Sequence, residues 1–436
     1  MKHIVFSILL FIAGKAFFTT PACGQDTNFV RVNTWHFENF GDSTSTWDLF
    51  REAYIGIAPT YDQAFVFDQV IYDNVFSQML NTGHCFGMSL MALQLLRYGG
   101  HDGFCAPASQ YPRKYAGGEY REPASDGLLH SIQMLQGHIL NFRVVSHLLD
   151  IIAANKNRDG NYAYDQYRYY DAKKDYTILC ITKGLVDVAE SHALLPYHIT
   201  VDGAGNKRMY VYDVNRPFNK PGSEGHDWYT NGNNFVQINS SDGAWSFDMA
   251  DTCVCPWTGV SSGPVETSGN IMIVPFSIMR NKDRLPQSLF ADGIEAASKL
   301  FLFGQGVVLE QIATPDGKRY FKPGAREVET SDSAALRSVL PFFSMQGGKA
   351  LANGGQLFFV RSPDGLDISV RAGPAGYKLQ LFSGYTAVTV SAETPFIREQ
   401  IRIRDGQSAL PSVEVINASG ATSTRIDIQV MTEPRQ

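Results

Sequence analysis

Charge is scarce in this chain. Only 18% of its 436 residues are charged, no long run of either sign occurs, and 43 acidic against 37 basic residues leave a formal net charge of −6. That balance argues against a nucleic-acid partner, which would need a basic stripe to displace counterions from phosphates. Also missing is any apolar run of the roughly 20 residues that a membrane-spanning helix requires, so no integral membrane span is expected. There is no phosphate-binding glycine loop, no Gly-x-Ser-x-Gly elbow, no paired-carboxylate signature and no internal repeat. His130, His138 and His147 fall on one helical segment, eight and nine residues apart, and so lack the i, i+4 pair that a zinc helix uses. Cys253-Val254-Cys255 has no matching Cys or His pair. Neither a metal nor a cofactor is expected.

What is present is a globular composition: 44% hydrophobic and 12% aromatic residues, enough to build a large core. The length suggests two domains. At the N-terminus, Lys2 and His3 precede an apolar run from Ile4 to Gly14, and small residues follow around Ala22, Cys23 and Gly24. That pattern reads as an export signal over residues 1–24 and implies a secreted, periplasmic or extracellular protein. Cys23 also raises lipoprotein anchoring, but Thr20 stands where that signal carries an aliphatic residue. In an oxidising compartment the remaining five cysteines (Cys85, Cys105, Cys180, Cys253 and Cys255) fit one free thiol and two disulfides, with Cys253 or Cys255 paired to Cys105 or Cys180.

Residues 25–280 mix helical and strand patterns. Cys85 to Tyr98 has apolar residues at helical spacing and stops at Gly99-Gly100, and a long helical segment is expected from Leu128 to Ala154. Strands are expected at His192 to Val201, Arg208 to Asp213, Asn234 to Asn239, Ala244 to Phe247 and Ile271 to Phe276. Helices followed by antiparallel strands indicate an α+β domain. Past the polar stretch Asn281 to Gln287 the texture becomes almost pure strand and turn. Residues 288–436 are therefore expected to form a β-sandwich of roughly seven or eight strands, including Leu366 to Ala372, Tyr377 to Phe382, Gln400 to Arg404, Val413 to Ile416 and Arg425 to Val430.

The chemistry-bearing segment is Asn81-Thr82-Gly83-His84-Cys85-Phe86-Gly87-Met88-Ser89. A cysteine in the first turn of a helix sits in the field of unpaired N–H groups, which favours thiolate and can also hold an oxyanion. Taken alone, a cysteine such as Cys85 is more often a small buried hydrophobe. A second segment changes the balance. His192 opens one strand and Asp213 closes the next, joined through the turn Asp202-Gly203-Ala204-Gly205-Asn206, so imidazole and carboxylate meet at one sheet end. His198 lies about 20 Å further along the same strand, too far for both rings to reach one sulfur. Trp245, Phe247, Trp257 and Tyr212 are either cleft-lining or core aromatics.

These segments resemble the papain-like cysteine peptidases. Gly83 to Ser89 is similar to the family's glycine-flanked cysteine at a helix start, His192-Ala193-Leu194-Leu195 to its histidine strand, and Tyr210 to Asn215 to the strand ending in Asn or Asp. The resemblance implies a papain-like N-terminal domain, helices packed on an antiparallel sheet, in which Cys85 is the nucleophile, His192 its base and Asp213 or Asn215 the orienting third member. A carboxylate better stabilises an imidazolium, which favours Asp213. The family's oxyanion glutamine, six residues before the cysteine, is here Met79, with Gln78 and Asn81 as nearby substitutes. The implied function is a secreted thiol hydrolase acting on a peptide or amide bond of a protein, peptide or cell-wall peptide. A transglutaminase-like acyl transferase uses Cys, His and Asp in the same order and is the alternative. An inactive papain-like surface-binding protein is the non-catalytic one.

Overall fold

The computed structural model describes residues 27–41, 45–111, 113–116, 119–123, 125–182, 191–218, 224–248, 257–260, 268–286, 299–305, 307–315, 319–321, 336–338, 358–361, 365–383, 386–404, 412–417 and 424–430. The proposed export signal, 1–24, lies outside them. Helices come first: α1 (Thr27–Asn33), α2 (Trp47–Ala53), α3 (Val66–Ile71), α4 (Ser77–Thr82), α5 (Cys85–Tyr98), α6 (Asp126–Gly137), α7 (Phe142–Ala153) and α8 (Gly160–Ala172). A seven-stranded antiparallel sheet follows, built from β1 (Thr177–Thr182), β2 (Ser191–Val201), β3 (Lys207–Asp213), β4 (Phe235–Ile238), β5 (Trp245–Phe247), β6 (Trp257–Gly259) and β7 (Ile271–Pro275). One helix, α9 (Glu224–Thr230), interrupts the strands between β3 and β4. The sheet order is β6-β5-β4-β3-β2-β1-β7, a meander with β7 added beyond β1. The domain is thus α+β, with every pairing antiparallel.

Two of these strands were not expected from the sequence. β1 is buried at all six positions and reads as a plain apolar run, and β6 is only three residues long. The expected helix from Leu128 to Ala154 is instead two. It breaks after Gly137, where a Cβ would stand 2.9 Å from Phe76 Cε2 and 2.9 Å from the Tyr54 hydroxyl. The Tyr54 hydroxyl donates to Gly137 O at 2.7 Å, and Asn141 Nδ2 donates to Asn281 O at 3.0 Å. Tertiary packing, invisible to periodicity, ends α6 there and starts α7 one turn later.

α5 is enclosed by the core of this domain. Every residue from Cys85 to Leu95 is buried, as in a helix apolar on all sides and surrounded by core. It packs on β2 along one flank and crosses α6 on another. The crossing is close because residue 87 is glycine: a Cβ there would lie 2.2 Å from Ile132 O and 2.8 Å from Gln136 N. α7 and α8 cover β7 instead.

Residues 299–430 form two antiparallel sheets. With β8 (Lys299–Gln305), β9 (Val307–Ala313), β10 (Arg319–Phe321), β11 (Leu336–Ser338), β12 (Phe358–Arg361), β13 (Leu366–Ala372), β14 (Tyr377–Ser383), β15 (Thr386–Ala392), β16 (Arg398–Arg404), β17 (Ser412–Asn417) and β18 (Arg425–Val430), the orders are β11-β12-β8-β14-β15-β18 and β10-β9-β13-β16-β17. Leu366, Ile368 and Val370 of one sheet and Leu379, Leu381 and Val390 of the other belong to one buried cluster. The eleven described strands exceed the seven or eight expected, because short edge strands such as β10 and β11 carry too few residues to show a pattern. Among the described residues, no helix is long and apolar enough to cross a membrane.

Replacing Gly87 by alanine drives a methyl into backbone that side-chain rotation cannot relieve. The expected cost is at least about 1–3 kcal/mol, the range for overpacked cores. A urea unfolding midpoint indistinguishable from wild type would contradict this crossing.

Candidate active site

The antiparallel register of β2 and β3 sets the site. Asp213 pairs with Leu194, two residues from His192, so the imidazole and the carboxylate project from the same face at the same sheet end. His192 Nε2 donates to Asp213 Oδ1 at 2.6 Å, and the Asn215 N–H donates to the same oxygen at 2.8 Å. The turn that returns the chain closes on Asp202, whose Oδ1 accepts from the N–H groups of Ala204 (3.0 Å) and Asn206 (2.9 Å). Asp213, rather than Asn215, is therefore the acceptor facing the ring. Asn215 contributes through its backbone.

Both members are buried, His192 to 5% exposure and Asp213 to 0%. Burial by itself would lower the pKa of His192. The Asp213 charge and hydrogen bond, followed by a hydrogen bond and charge contribution from Cys85, outweigh it and raise the pKa to about 10. Burial would raise the Asp213 pKa, but the His192 charge and hydrogen bond, then the Asn215 N–H and Arg216, bring it below the usual carboxylate range. Both shifts point to an ion pair. Because Nε2 is committed to Asp213, the nitrogen left for the Cys85 sulfur is Nδ1.

Cys85, 4% exposed, is the first residue of α5. The N–H groups around it are partly taken: that of Gly87 donates to Gln136 Oε1 at 2.7 Å and that of His84 to Asn39 Oδ1 at 2.7 Å. Among the described residues, the N–H groups of Cys85 and Phe86 have no such side-chain acceptor. Cys180, on β1, is the other buried thiol; burial first, and the neighbouring Cys85 second, push its pKa upward and leave it an inert thiol. Cys85, Cys105 and Cys180 are all free of disulfides. Cys253 and Cys255, the expected disulfide partners, lie outside the described residues.

Sequence reasoning missed two supports of this site. One is Tyr229 on α9, whose hydroxyl accepts from the Asp213 N–H at 2.9 Å and donates to Asp213 O at 3.2 Å. β4 pairs with β3 only from Lys207 to Tyr210, so this tyrosine stands where a neighbouring strand would have held Asp213. The other is the segment 34–40, which runs between α5 and β3. Trp35 Nε1 donates to Met88 O at 2.8 Å, while Trp35 O accepts from the Tyr212 hydroxyl at 3.2 Å. Phe40 O accepts from His84 Nδ1 at 2.5 Å, and the Asn39 N–H donates to Val214 O at 2.8 Å. No local motif marks either support, because each acts across a long sequence separation.

The other candidates are dispersed. Met79 is buried and Asn81 exposed on α4. Gln78 belongs to the same helix, but its side chain lies outside the described residues. His198 is half-buried beside Tyr210, with ring centroids 5.7 Å apart, and takes no part in the pair. His130 bonds Glu52 at the surface; His138 and His147 donate to the carbonyls of Met279 and Ile273. Trp245, Phe247, Trp257 and Tyr212 belong to the core rather than to a cleft. Among the described residues no cluster of His, Cys, Asp or Glu is arranged to hold a metal. Compared with protein-family models, curated proteins and solved structures, the chain matches none.

Two outcomes follow from this geometry. Tyr229→Phe leaves the buried Asp213 N–H without its acceptor and should destabilise the fold by about 1–3 kcal/mol; an unchanged unfolding free energy would contradict the bond. The raised His192 pKa supplies stability that is complete below the unfolded histidine value of about 6.5 and fades as pH rises toward about 10. The lowered Asp213 pKa supplies stability above about 3.9 that is lost on acidification. The stability difference between wild type and Asp213→Asn should therefore be largest between about pH 4 and 6.5 and shrink above it. A difference that grows from pH 6.5 to 9 would contradict the ion pair.

Proposed function

We propose that this protein is an exported papain-like thiol hydrolase that cleaves a peptide or amide bond through an acyl-enzyme on Cys85. The observation that carries the reading is the 2.6 Å hydrogen bond from His192 Nε2 to Asp213, with Cys85 near enough to the same imidazole to help raise its pKa. Three buried groups at the end of one sheet and the start of one helix form the relay that a thiol nucleophile needs.

The chemistry runs in two halves. The Cys85 sulfur, its proton already held by the His192 imidazolium, attacks the carbonyl carbon as a thiolate, and the carbonyl pair moves onto oxygen near the Cys85 N–H. Collapse expels the amine, which takes a proton from the His192 imidazolium, and a thioester remains. Water then gives a proton to His192 and attacks the thioester, releasing the acid and the thiolate. Asp213 keeps the ring in one orientation and stabilises its charged form throughout. A protein, a peptide or a cell-wall peptide is the substrate class.

A second reading has a specific support. The ring's acceptor is the carboxylate of Asp213 and not an amide, as in the transglutaminase-like branch, where an amine replaces water in the second half.

A peptide-library digest, repeated with a primary amine present, tests both readings. Cys85→Ala should abolish turnover, and Asp213→Asn should lower kcat/KM by about 10²–10⁴. Hydrolysed products alone identify the hydrolase, whereas amine-capped products identify the transferase. Turnover that survives in Cys85→Ala would refute both.

A further inference from the structure

The site as described offers backbone N–H groups at Cys85 and Phe86 as oxyanion donors, with no side-chain donor at the expected spacing. The position six residues upstream, Met79, is buried and cannot donate, and Asn81 is turned to solvent. A side-chain amide nevertheless lies beside the nucleophile, delivered from far earlier in the chain. Asn39 Oδ1 accepts from the N–H of His84, the residue before Cys85, at 2.7 Å. Its own N–H donates to Val214 O, the residue after Asp213, at 2.8 Å. Asn39 is thus fixed at both ends, one on the nucleophile's helix and one on the acid's strand.

The amide also presses on Gly83. A Cβ at residue 83 would lie 2.8 Å from Asn39 Nδ2 and 3.2 Å from Oδ1, so only glycine lets the amide seat there. With Oδ1 engaged by His84, the NH2 group is the polar end left over, and no described residue accepts from it. It belongs to a half-exposed residue and lies against Gly83, two positions before Cys85 in the chain. A pre-oriented amide donor of this kind, fixed before the reaction, is what developing charge on a carbonyl oxygen requires.

We infer that Asn39 is a catalytic residue whose Nδ2–H donates, together with the Cys85 N–H, to the oxyanion formed when Cys85 attacks a carbonyl. Gly83 is the residue that makes room for it. This rests on the thiol-acylation reading given above, and the experiment separates the two. Asn39→Asp is the informative variant, because it keeps the oxygen that anchors His84 and replaces only the donating NH2.

Two probes that need no knowledge of the natural substrate are used on the full-length protein. Iodoacetamide alkylates Cys85 without forming an oxyanion. p-Nitrophenyl acetate acylates it through one: the S–C bond forms, the carbonyl pair moves to oxygen, and collapse releases p-nitrophenolate and leaves an acetyl thioester. In wild type, Cys85 should be alkylated rapidly and should give a p-nitrophenolate burst that Cys85→Ala lacks. Absence of both in wild type would sink the thiol-acylation reading itself.

With both present, Asn39→Asp should slow the burst about 10²–10³-fold, the usual loss of one oxyanion donor, while alkylation changes less than about tenfold. Asn39→Ala, which also loses the anchor on His84, should slow both reactions. A burst in Asn39→Asp as fast as in wild type would overturn the assignment. So would equal slowing of burst and alkylation, since Asn39 would then act only by holding His84 and Cys85 in place. A melting temperature recorded for each variant separates these outcomes from unfolding.

Discussion

The hydrogen bond between His192 and Asp213, made where neither side chain reaches water, is the constraint on which the rest of the site depends. Taking an imidazolium and a carboxylate out of solvent is costly unless they are paired and their remaining valences satisfied. Asp213 Oδ1 meets that condition by accepting from both His192 Nε2 and the Asn215 N–H, whereas Oδ2 is buried without a partner among the described residues, so the pairing with His192 carries most of the compensation. Its main chain is held in turn by Leu194 across the ladder and by the Tyr229 hydroxyl on the open side. The result is a ring whose Nε2 is occupied by Asp213 and whose other nitrogen is left for the sulfur of Cys85.

The proposed nucleophile, Cys85, is placed by different means. α5 is buried on all sides, and its first turn is aligned by contacts with the helix beside it and with a segment from the start of the chain. Gly87 lets α6 approach until Gln136 can accept from the Gly87 N–H. Segment 34–40 ties His84 and Met88 on α5 to Tyr212 and Val214 at the end of β3. Helix and sheet could otherwise shift independently, and a displacement of about 1 Å costs such a site about 10²-fold in rate. The segment turns two separately positioned groups into one constellation.

Much of this was legible in the residues. Cys85 to Tyr98 as a helix, the strands carrying His192 and Asp213, and the sheet end at which they meet all follow from local pattern and turn chemistry. The choice between Asp213 and Asn215 did not follow from their alternation, since two residues apart on a strand share a face; the turn after Asp213 decides it by directing Asn215's backbone to the carboxylate. β1 went unrecognised because a strand buried on both faces has no alternation, and the break at Gly137 because Tyr54 and Phe76 impose it from elsewhere. Tyr229, Gln136 and Asn39 were invisible for a common reason. Each acts across a distance in sequence that only the folded chain closes, with no motif to announce it.

The protonation state of His192 tests the account most directly. In imidazole ¹⁵N nuclear magnetic resonance spectra of the full-length protein at pH 8, one histidine should show both ring nitrogens protonated, and that signal should vanish in His192→Ala. A His192 ring that is neutral at pH 8 and titrates at or below the ordinary histidine value would mean that Asp213 does not hold it charged, and the central claim would fall.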